Sequence, residues 1–342
     1  MNGLIALLIG GVLLIIGRQF ILPTIAMFEW GPELGEFEPA GYQEGNWFLW
    51  QALKWLFLPL FIIYNWSNPN DLVLEGEDHL EEGIALGEKG CKMVFYFNHS
   101  GSADVWMPQL ILRIKGALNK KFRALAEMFV YVIGLKFAHH PFFGWAIKCA
   151  RRIWVVPGTM LPKKRPPVSN RMARDAYITQ LDRIRAVNEP ARSEIAKQAK
   201  KGFWVFIAPE GTRQEDGVLG EPEEAFLQLF DLEDPDWVFV GASLAKTRNI
   251  WRKGASVFTI RPFKPVTLSI CRPIHVGDLL SQAEEISSKY EITKPRAAVN
   301  LLMYTLAEPK FKNGELAECG VFAQSWEERF PLRKGTKEEN EA

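Results

Sequence analysis

Short apolar runs, each flanked by polar segments, are the feature that most constrains how this chain folds. The three strongest runs are Lys92–Asn98, Phe203–Ala208 and Trp237–Ala242, and their interiors contain no polar residue at alternate positions. Runs of this kind are typical of strands that are buried on both faces of a parallel sheet. Segments of helical length lie between them, among them the polar stretch Met172–Lys200, which we expect to be interrupted at Pro190. The sequence therefore predicts an α/β domain whose mostly parallel sheet is flanked by helices.

Weaker patterns predict the remaining elements of this domain. In chain order they are a helix over Asp104–Ile114, a short strand at Ala124–Ala126, helices over Met128–Leu135 and Gly144–Ala150, and strands at Arg152–Val156, Val257–Ile260 and Thr267–Cys271. In a parallel sheet, ligands bind beyond the carboxyl ends of the strands. The polar residues that follow each buried strand are therefore the first candidates for a functional site.

Two long apolar segments, Gly3–Gly17 and Trp47–Tyr64, precede the predicted domain. The first has no polar face, and its 15 residues span roughly 22 Å, less than the ~30 Å hydrocarbon core of a bilayer. Trp47, Trp50 and Trp55 suit the headgroup level of a membrane. We therefore expect a two-helix membrane module, either a shallow hairpin or one span with one interfacial helix. A pair of buried core helices is the alternative.

The expected organisation has three parts. Residues 1–67 form the membrane-associated module, residues 68–310 form the α/β domain, and residues 311–342 form a polar C-terminal extension that is partly disordered. The net charge of +1 excludes a general attraction to nucleic acid. Four cysteines without a C-x-x-C spacing indicate reduced thiols rather than disulfides or a zinc site.

A histidine and an aspartate five positions apart follow the first buried strand. His99 comes directly after this strand, and Asp104 lies at the predicted start of the next helix. A histidine base needs its second ring nitrogen held by an acceptor, and a carboxylate supplies that contact while stabilising the imidazolium. Because no nucleophilic motif accompanies the pair, His99 is expected to activate a hydroxyl of the substrate. The alternative is a strand-to-helix turn in which Asp104 caps the helix and His99 has no role.

A second polar turn, with the sequence PEGTR, follows the strand Phe203–Ala208. Gly211 permits a tight turn and a close approach of the backbone to a ligand. Arg213 can bind a phosphate through two hydrogen bonds, Thr212 adds a hydroxyl, and Glu210 can receive a substrate hydroxyl or hold Arg213. The alternative is an ordinary β-turn with an internal Glu–Arg pair.

The stretches NHSGSAD and APEGTR, each directly after an apolar strand, together resemble the H-x-x-x-x-D and P-E-G-T-R motifs of the glycerolipid acyltransferase family, typified by lysophosphatidate acyltransferases. Glu127 and the segment PFFGW, residues 141–145, resemble the region before the family's second motif. The later segment VTLSICRPIHVGD is similar to the closing strand of the family's domain, so the resemblance covers roughly residues 74–280. Gly101 and Ser102 depart from the family's usual pattern between the histidine and the aspartate, which leaves the acceptor open.

The resemblance implies a membrane-bound O-acyltransferase of phospholipid metabolism. It also implies that His99 is the general base and that Asp104 orients it. The implied acceptor is a lysophospholipid in the bilayer, above all lysophosphatidate, and the implied donor is acyl-CoA or acyl-carrier protein. No metal or prosthetic group is implied, and the active site is expected to face the cytoplasm. The residues that would bind the phosphate-bearing headgroup are Glu210, Gly211, Thr212 and Arg213.

Other interpretations of the same residues stay open. The His99–Asp104 pair is also suited to a thioesterase or lipid hydrolase that uses water, and a non-catalytic membrane lipid-binding protein is a third possibility. Residues 148–201 contain fourteen basic and four acidic residues. This basic stretch is expected either to bind CoA phosphates, a carrier protein or anionic headgroups, or to be an ordinary solvated helix.

Overall fold

The computed structural model describes residues 42–43, 72–99, 104–115, 119–135, 150–156, 171–211, 218–249 and 264–330. The helix predicted at 144–150, apart from its last residue, and the strand predicted at 257–260 lie outside these ranges. The elements in chain order are β1 (Leu72–Glu75), α1 (Glu77–Glu88), β2 (Lys92–Phe97), α2 (Met107–Lys115), α3 (Lys120–Leu125), β3 (Phe129–Gly134), β4 (Arg152–Val155), α4 (Arg171–Lys200), β5 (Trp204–Ile207), β6 (Trp237–Ala245), β7 (Val266–Ile270), β8 (Ile274–His275), α5 (Val276–Tyr290), α6 (Lys294–Lys312) and α7 (Trp326–Arg329). Short 3-10 turns occupy Glu224–Leu229, Thr247–Asn249, Leu316–Glu318 and Gly320–Ala323.

The described strands form one eight-stranded sheet in the order β1-β7-β6-β2-β5-β3-β4, with β8 paired to β6. The strands β6, β2, β5, β3 and β4 run parallel to one another. In their register, Phe95 of β2 lies beside Phe206 of β5 and Val240 of β6. Strands β7 and β8 run antiparallel to β6, and β1 runs parallel to β7. The predicted mostly parallel α/β sheet is confirmed. The strands β1 and β7 at one edge run antiparallel to the central strands.

The sheet separates two apolar layers. On one face, Tyr96 of β2 packs in a layer with Ile195 of α4 and with α5 and α6. On the other face, Phe95 packs in a layer with Leu80 of α1 and with α2 and α3. Helices therefore cover both faces, which explains why the central strands carry buried apolar side chains on both faces. Phe97 and Phe206 stack at a ring-centroid distance of 4.3 Å directly below the ends of β2 and β5, which ties these two strands together.

The chain between α2 and β4 differs from the prediction. The strand predicted at Ala124–Ala126 is wrong, because Lys120–Leu125 is a helix whose first turn is capped by the Asn119 side chain, which accepts from the Lys121 N–H at 3.0 Å. The helix predicted at Met128–Leu135 is wrong as well, because Phe129–Gly134 is strand β3 between β5 and β4. Its sequence FVYVIG is made of aromatic and β-branched residues, which favour a buried strand.

Helix α4 continues through Pro190, so the predicted interruption is wrong. Pro190 lies on the exposed side of the helix. Water can therefore hydrate the carbonyl that a proline leaves without its usual N–H donor. Thirty residues of helix extend over about 45 Å, and buried side chains such as Ile195 hold the second half of α4 against the sheet.

Residues beyond the predicted boundary at 310 are part of the packed domain. Helix α6 ends at Lys312, and in the turns that follow Cys319 and Phe322 are fully buried. Ser325 and Glu328 then form a capping box at the start of α7. The boundary between residues 310 and 311 is therefore misplaced, because the apolar residues of this segment complete the core. Residues 331–342 lie outside the described ranges.

Only Tyr42 and Gln43 are described from the predicted membrane module, residues 1–67. Gln43 pairs with the edge strand β4, since its N–H donates to the Arg152 carbonyl at 2.9 Å and its own carbonyl accepts from the Arg152 N–H at 3.2 Å. Among the helices that the structure describes, none is long and apolar enough to cross a membrane. The segments Gly3–Gly17 and Trp47–Tyr64 lie outside the described residues, so the two-helix module stays a prediction.

Candidate active site

The two polar motifs lie together at one edge of the sheet. His99 follows β2 directly after Asn98, and the turn that contains Glu210 follows β5. Because β2 and β5 are adjacent and parallel, both motifs leave the sheet at their carboxyl ends. This is the edge at which α/β sheets bind ligands.

The predicted contact between His99 and Asp104 is present. Nδ1 of His99 lies 3.3 Å from Oδ2 of Asp104, which belongs to the turn before α2. The Asp104 side chain is fully buried, whereas 14% of the His99 side chain is exposed. With Nδ1 directed at a carboxylate, the neutral imidazole has its proton on Nδ1, and Nε2 is the nitrogen with basic character. The pair therefore has the arrangement that a general base requires.

Asn98 fixes the end of β2 immediately before His99. Its Nδ2 donates to the Leu244 carbonyl at 2.9 Å, and its Oδ1 accepts from the Leu244 N–H at 2.6 Å. The side-chain amide thus continues the hydrogen bonding between β2 and β6 by one more rung, and Asn98 is fully buried. Neither hydrogen bond has water as a competitor, so the backbone that leads into His99 is held firmly.

Glu210 is a buried anchor rather than an open binding group. Oε2 accepts from the His99 N–H at 2.6 Å and Oε1 accepts from the Gly220 N–H at 2.7 Å, and the residue is 1% exposed. We expected Glu210 to receive a substrate hydroxyl or to hold Arg213. In the structure both carboxylate oxygens accept from backbone N–H groups, and one of these belongs to His99, so Glu210 is placed to position His99.

Burial is the main cause that raises the pKa of the Glu210 carboxyl to about 8. The two backbone N–H donors and the Lys310 ammonium act in the opposite direction, and the charge of Asp104 adds to the rise. Glu210 therefore changes protonation near neutral pH while it holds the His99 backbone.

Gly211 adopts a conformation that favours glycine. Its φ is +62°, and a Cβ at this position would lie 2.6 Å from Oε1 of Glu223. The turn is closed by the Gly211 N–H, which donates to the Ala208 carbonyl at 3.2 Å. Thr212 and Arg213 lie outside the described residues, so their contact with a substrate stays a prediction.

Glu127, which the resemblance singles out, lies just before β3 and forms an ion pair with Arg113 of α2. The Glu127 carbonyl also accepts from the Arg151 guanidinium at 2.7 Å. Burial lowers the pKa of Arg113 to about 10. The segment PFFGW, residues 141–145, lies outside the described residues.

The buried thiols Cys271 and Cys319 are poorly suited to act as nucleophiles. Burial raises the pKa of Cys271 to about 12, so its thiolate is scarce at neutral pH, and Cys319 is also buried with a raised pKa. Among the described residues, no group of three or more His, Cys, Asp or Glu side chains is arranged to hold a metal ion.

Three residues of the site were missed by the sequence prediction: Asn98, Gly220 and Lys310. Asn98 stands in the quoted motif directly before His99, and its position at a strand end is a usable signal. Gly220 contributes a backbone N–H, and Lys310 contributes a long-range hydrogen bond from its ammonium to the Leu244 carbonyl. The sequence contains no local pattern for either contact.

No protein-family model matches the chain, and no curated protein matches it. Among solved structures, the chain is similar to the crystal structure of the 1-acyl-sn-glycerophosphate (LPA) acyltransferase PlsC from Thermotoga maritima. The sequence identity is 18%, the match covers 73% of this chain and 82% of that chain, and the TM-score is 0.38.

Proposed function

We propose that this chain is a glycerolipid acyltransferase that moves an acyl group from a thioester to the hydroxyl of a lysophospholipid, above all lysophosphatidate. The observation that supports this most directly is the 3.3 Å contact between His99 Nδ1 and the buried Asp104 carboxylate at the carboxyl end of β2. The proposal also rests on the resemblance of NHSGSAD and APEGTR to the family motifs, and His99 of the first stretch contacts Glu210 of the second at one edge of the sheet.

In the proposed reaction Nε2 of His99 accepts the proton of the acceptor hydroxyl while the hydroxyl oxygen attacks the thioester carbonyl carbon. The tetrahedral intermediate then collapses, the carbon–sulfur bond breaks, and the proton passes from His99 to the leaving thiolate. The products are an ester and a free thiol, and no acyl-enzyme forms. Asp104 holds the ring in the required tautomer and stabilises the imidazolium between the two proton transfers.

The acceptor headgroup is proposed to bind at the turn after β5. Gly211 gives this turn its left-handed backbone, and Arg213 is the residue of the turn best suited to bind a phosphate through two hydrogen bonds. The Thr212 hydroxyl is proposed as a further donor. Glu210 supports this arrangement indirectly because its two backbone contacts connect the turn with His99.

The donor is proposed to be acyl-CoA or an acyl-carrier protein. Helix α4, which contains much of the basic stretch, is a weak candidate for the donor's phosphates. Arg185, Arg192 and Lys197 form surface ion pairs with acidic residues, namely Asp182, Asp231 and Glu194. Such pairs favour a solvated helix face over a dedicated anion site.

The protein is proposed to act at a membrane, with its active site on the cytoplasmic side. The support comes from the apolar segments Gly3–Gly17 and Trp47–Tyr64 together with the lipid nature of the proposed acceptor and product. Gln43 lies between these segments and pairs with β4, so the N-terminal part of the chain contacts the α/β domain.

A mass-spectrometric assay tests the proposal. Purified protein is incubated with acyl-CoA and, one at a time, a panel of lysophospholipids, and each reaction is analysed for diacyl product and free fatty acid. Formation of diacyl product that depends on the acceptor supports the proposal. Release of fatty acid at the same rate without any acceptor would indicate a hydrolase, and lipid binding without turnover would indicate a non-catalytic protein.

A further inference from the structure

Lys310, two residues before the last residue of α6, is a fully enclosed cation. It is 1% exposed, and its Nζ donates to the Leu244 carbonyl at 2.6 Å and to Oε2 of Glu318 at 3.0 Å. A buried ammonium is costly unless it is hydrogen-bonded and paired with an opposite charge. These two partners therefore give the Lys310 side chain a defined position at the carboxyl end of β6.

Leu244 connects Lys310 with the catalytic histidine. Its carbonyl accepts from Lys310 and from the Asn98 side chain, and its N–H donates to the same Asn98 side chain. Asn98 immediately precedes His99. The Leu244 carbonyl is thus a shared acceptor for the Lys310 ammonium and for Asn98, the residue that fixes the backbone before His99.

Glu318 connects the same segment with the other side of the site. Its backbone carbonyl accepts from the Leu219 N–H at 2.9 Å. The next residue, Gly220, donates its N–H to Glu210. The packing is close here, because a Cβ on Gly320 would lie 2.7 Å from the Leu219 carbonyl oxygen.

We propose that Lys310 and Glu318 are a positioning pair for the active-site edge, which sets the place of His99 through Leu244 and that of Glu210 through Leu219. The proposal rests on the proposed function in that it takes His99 as the base. The Lys310 ammonium also lowers the pKa of Glu210, which indicates that its charge is felt at the carboxyl that holds His99. The positioning pair acts on the geometry of the base, so its loss lowers kcat more than it changes KM.

The test uses Lys310→Met in the full chain. Methionine keeps an unbranched apolar side chain but removes the ammonium, and Glu318, whose side chain is 15% exposed, can then be solvated. The matched control is Lys246→Met, because Nζ of Lys246 pairs with Glu315 of the same segment at 2.9 Å while its side chain is 43% exposed. Each variant is measured for kcat, KM and amide hydrogen exchange by mass spectrometry.

The expected result for Lys310→Met is faster exchange in the peptides that contain the His99 and Gly220 amides, with unchanged exchange in β3 and β4. Its kcat is expected to fall about 10- to 100-fold, since a displacement of about 1 Å can cost roughly 10²-fold. Lys246→Met is expected to match the wild type. Wild-type exchange and kcat in Lys310→Met, or loss of protection throughout the sheet, would overturn the proposal.

If Lys310→Met does not fold, Glu318→Gln tests the same positioning pair from its other member. The amide retains an acceptor oxygen for Lys310 but loses the negative charge, so a smaller rise in exchange is expected at the same two amides. Unchanged exchange there contradicts the positioning pair. If the wild type transfers no acyl group to any acceptor, the proposed function fails, while the exchange measurement still decides the role of Lys310 and Glu318.

Discussion

The backbone N–H of His99 donates to Oε2 of Glu210 at 2.6 Å, although the two residues are 111 positions apart in the chain. They follow adjacent parallel strands, so this bond joins the ends of β2 and β5 where both motifs leave the sheet. The other oxygen of Glu210 holds the Gly220 N–H. Glu210 is therefore expected to influence the reaction through the position of His99 rather than by contact with substrate.

The first prediction concerns the pH dependence of stability. Burial raises the pKa of Glu210 from 4.5 to about 8, so the folded chain binds this proton more tightly than the unfolded chain does. The resulting stabilisation is complete below pH 4.5 and is lost as the pH rises through about 8. In Glu210→Gln this contribution is absent. The side-chain NH2 group also replaces an oxygen that accepts from a backbone N–H, and the lost hydrogen bond lowers the free energy of unfolding by about 1–3 kcal/mol.

Denaturant titrations from pH 5 to pH 8.5 measure this difference. The free energy of unfolding of Glu210→Gln is expected to lie below that of the wild type at pH 5, and the gap is expected to narrow as the pH rises. Glu233→Gln, at an exposed position, is the control and should follow the wild type at every pH. A gap that stays constant over this range would contradict the raised pKa of Glu210.

The second prediction concerns Asp104. Asp104→Asn removes the charge that stabilises the imidazolium, and its amide N–H favours the wrong tautomer of His99. The rate of acyl transfer is expected to fall by roughly 10²- to 10⁴-fold, the usual range of general acid–base catalysis. Asp278→Asn, at an exposed position in the first turn of α5, is the control. Steady-state kinetics with unchanged kcat in a folded Asp104→Asn variant would remove Asp104 from the mechanism.

The third prediction concerns the turn after β5. Gly211→Ala must place a Cβ at φ +62° and displace the Glu223 carboxylate. The left-handed backbone costs about 1–2 kcal/mol. Gly314→Ala has the same kind of backbone, with φ +74°, but no atom lies within 4 Å of its Cβ. Both variants are expected to lose thermal stability, Gly211→Ala more than Gly314→Ala because it also displaces the Glu223 carboxylate, and only Gly211→Ala is expected to lose acyl transfer. Equal activity of the two variants would argue against a substrate role for this turn.

The fourth prediction concerns the proposed headgroup contact of Arg213. Arg213→Ala is expected to raise the KM for a phosphorylated acceptor or to lower kcat/KM, since a charge-assisted contact contributes about 1.5–3 kcal/mol. Arg213→Lys keeps the charge but loses the paired hydrogen bonds, so its kcat/KM is expected to lie between that of the wild type and that of Arg213→Ala. Kinetics with lysophosphatidate as the acceptor measure this. Unchanged kcat and KM in Arg213→Ala would exclude the phosphate role.

The central strands of the fold and the His99–Asp104 contact follow from the sequence. Apolar runs such as Phe203–Ala208 can be recognised because a strand buried on both faces has no polar positions. A separation of five positions allows His99 and Asp104 to meet, and the two side chains are in contact in the structure. The sequence predicts a helix over Met128–Leu135 in place of strand β3, because a short apolar run does not distinguish a helix from a strand by periodicity alone.

The supporting residues of the site could not be predicted in the same way. The sequence predicts a substrate contact for Glu210, because its place in a PEGTR turn does not reveal that both carboxylate oxygens accept from backbone N–H groups. No local sequence pattern marks Lys310 as buried. Its burial depends on Leu244, 66 positions away, and such long-range contacts leave no trace in the local pattern.

The most direct test of the central claim is the kcat/KM of acyl transfer from acyl-CoA to a lysophospholipid acceptor for His99→Ala and the wild type, with thermal melting measured on both. If His99 is the general base, the variant melts like the wild type and its kcat/KM is lower by roughly 10²- to 10⁴-fold. A folded His99→Ala protein that transfers acyl groups at the wild-type rate would contradict the mechanism.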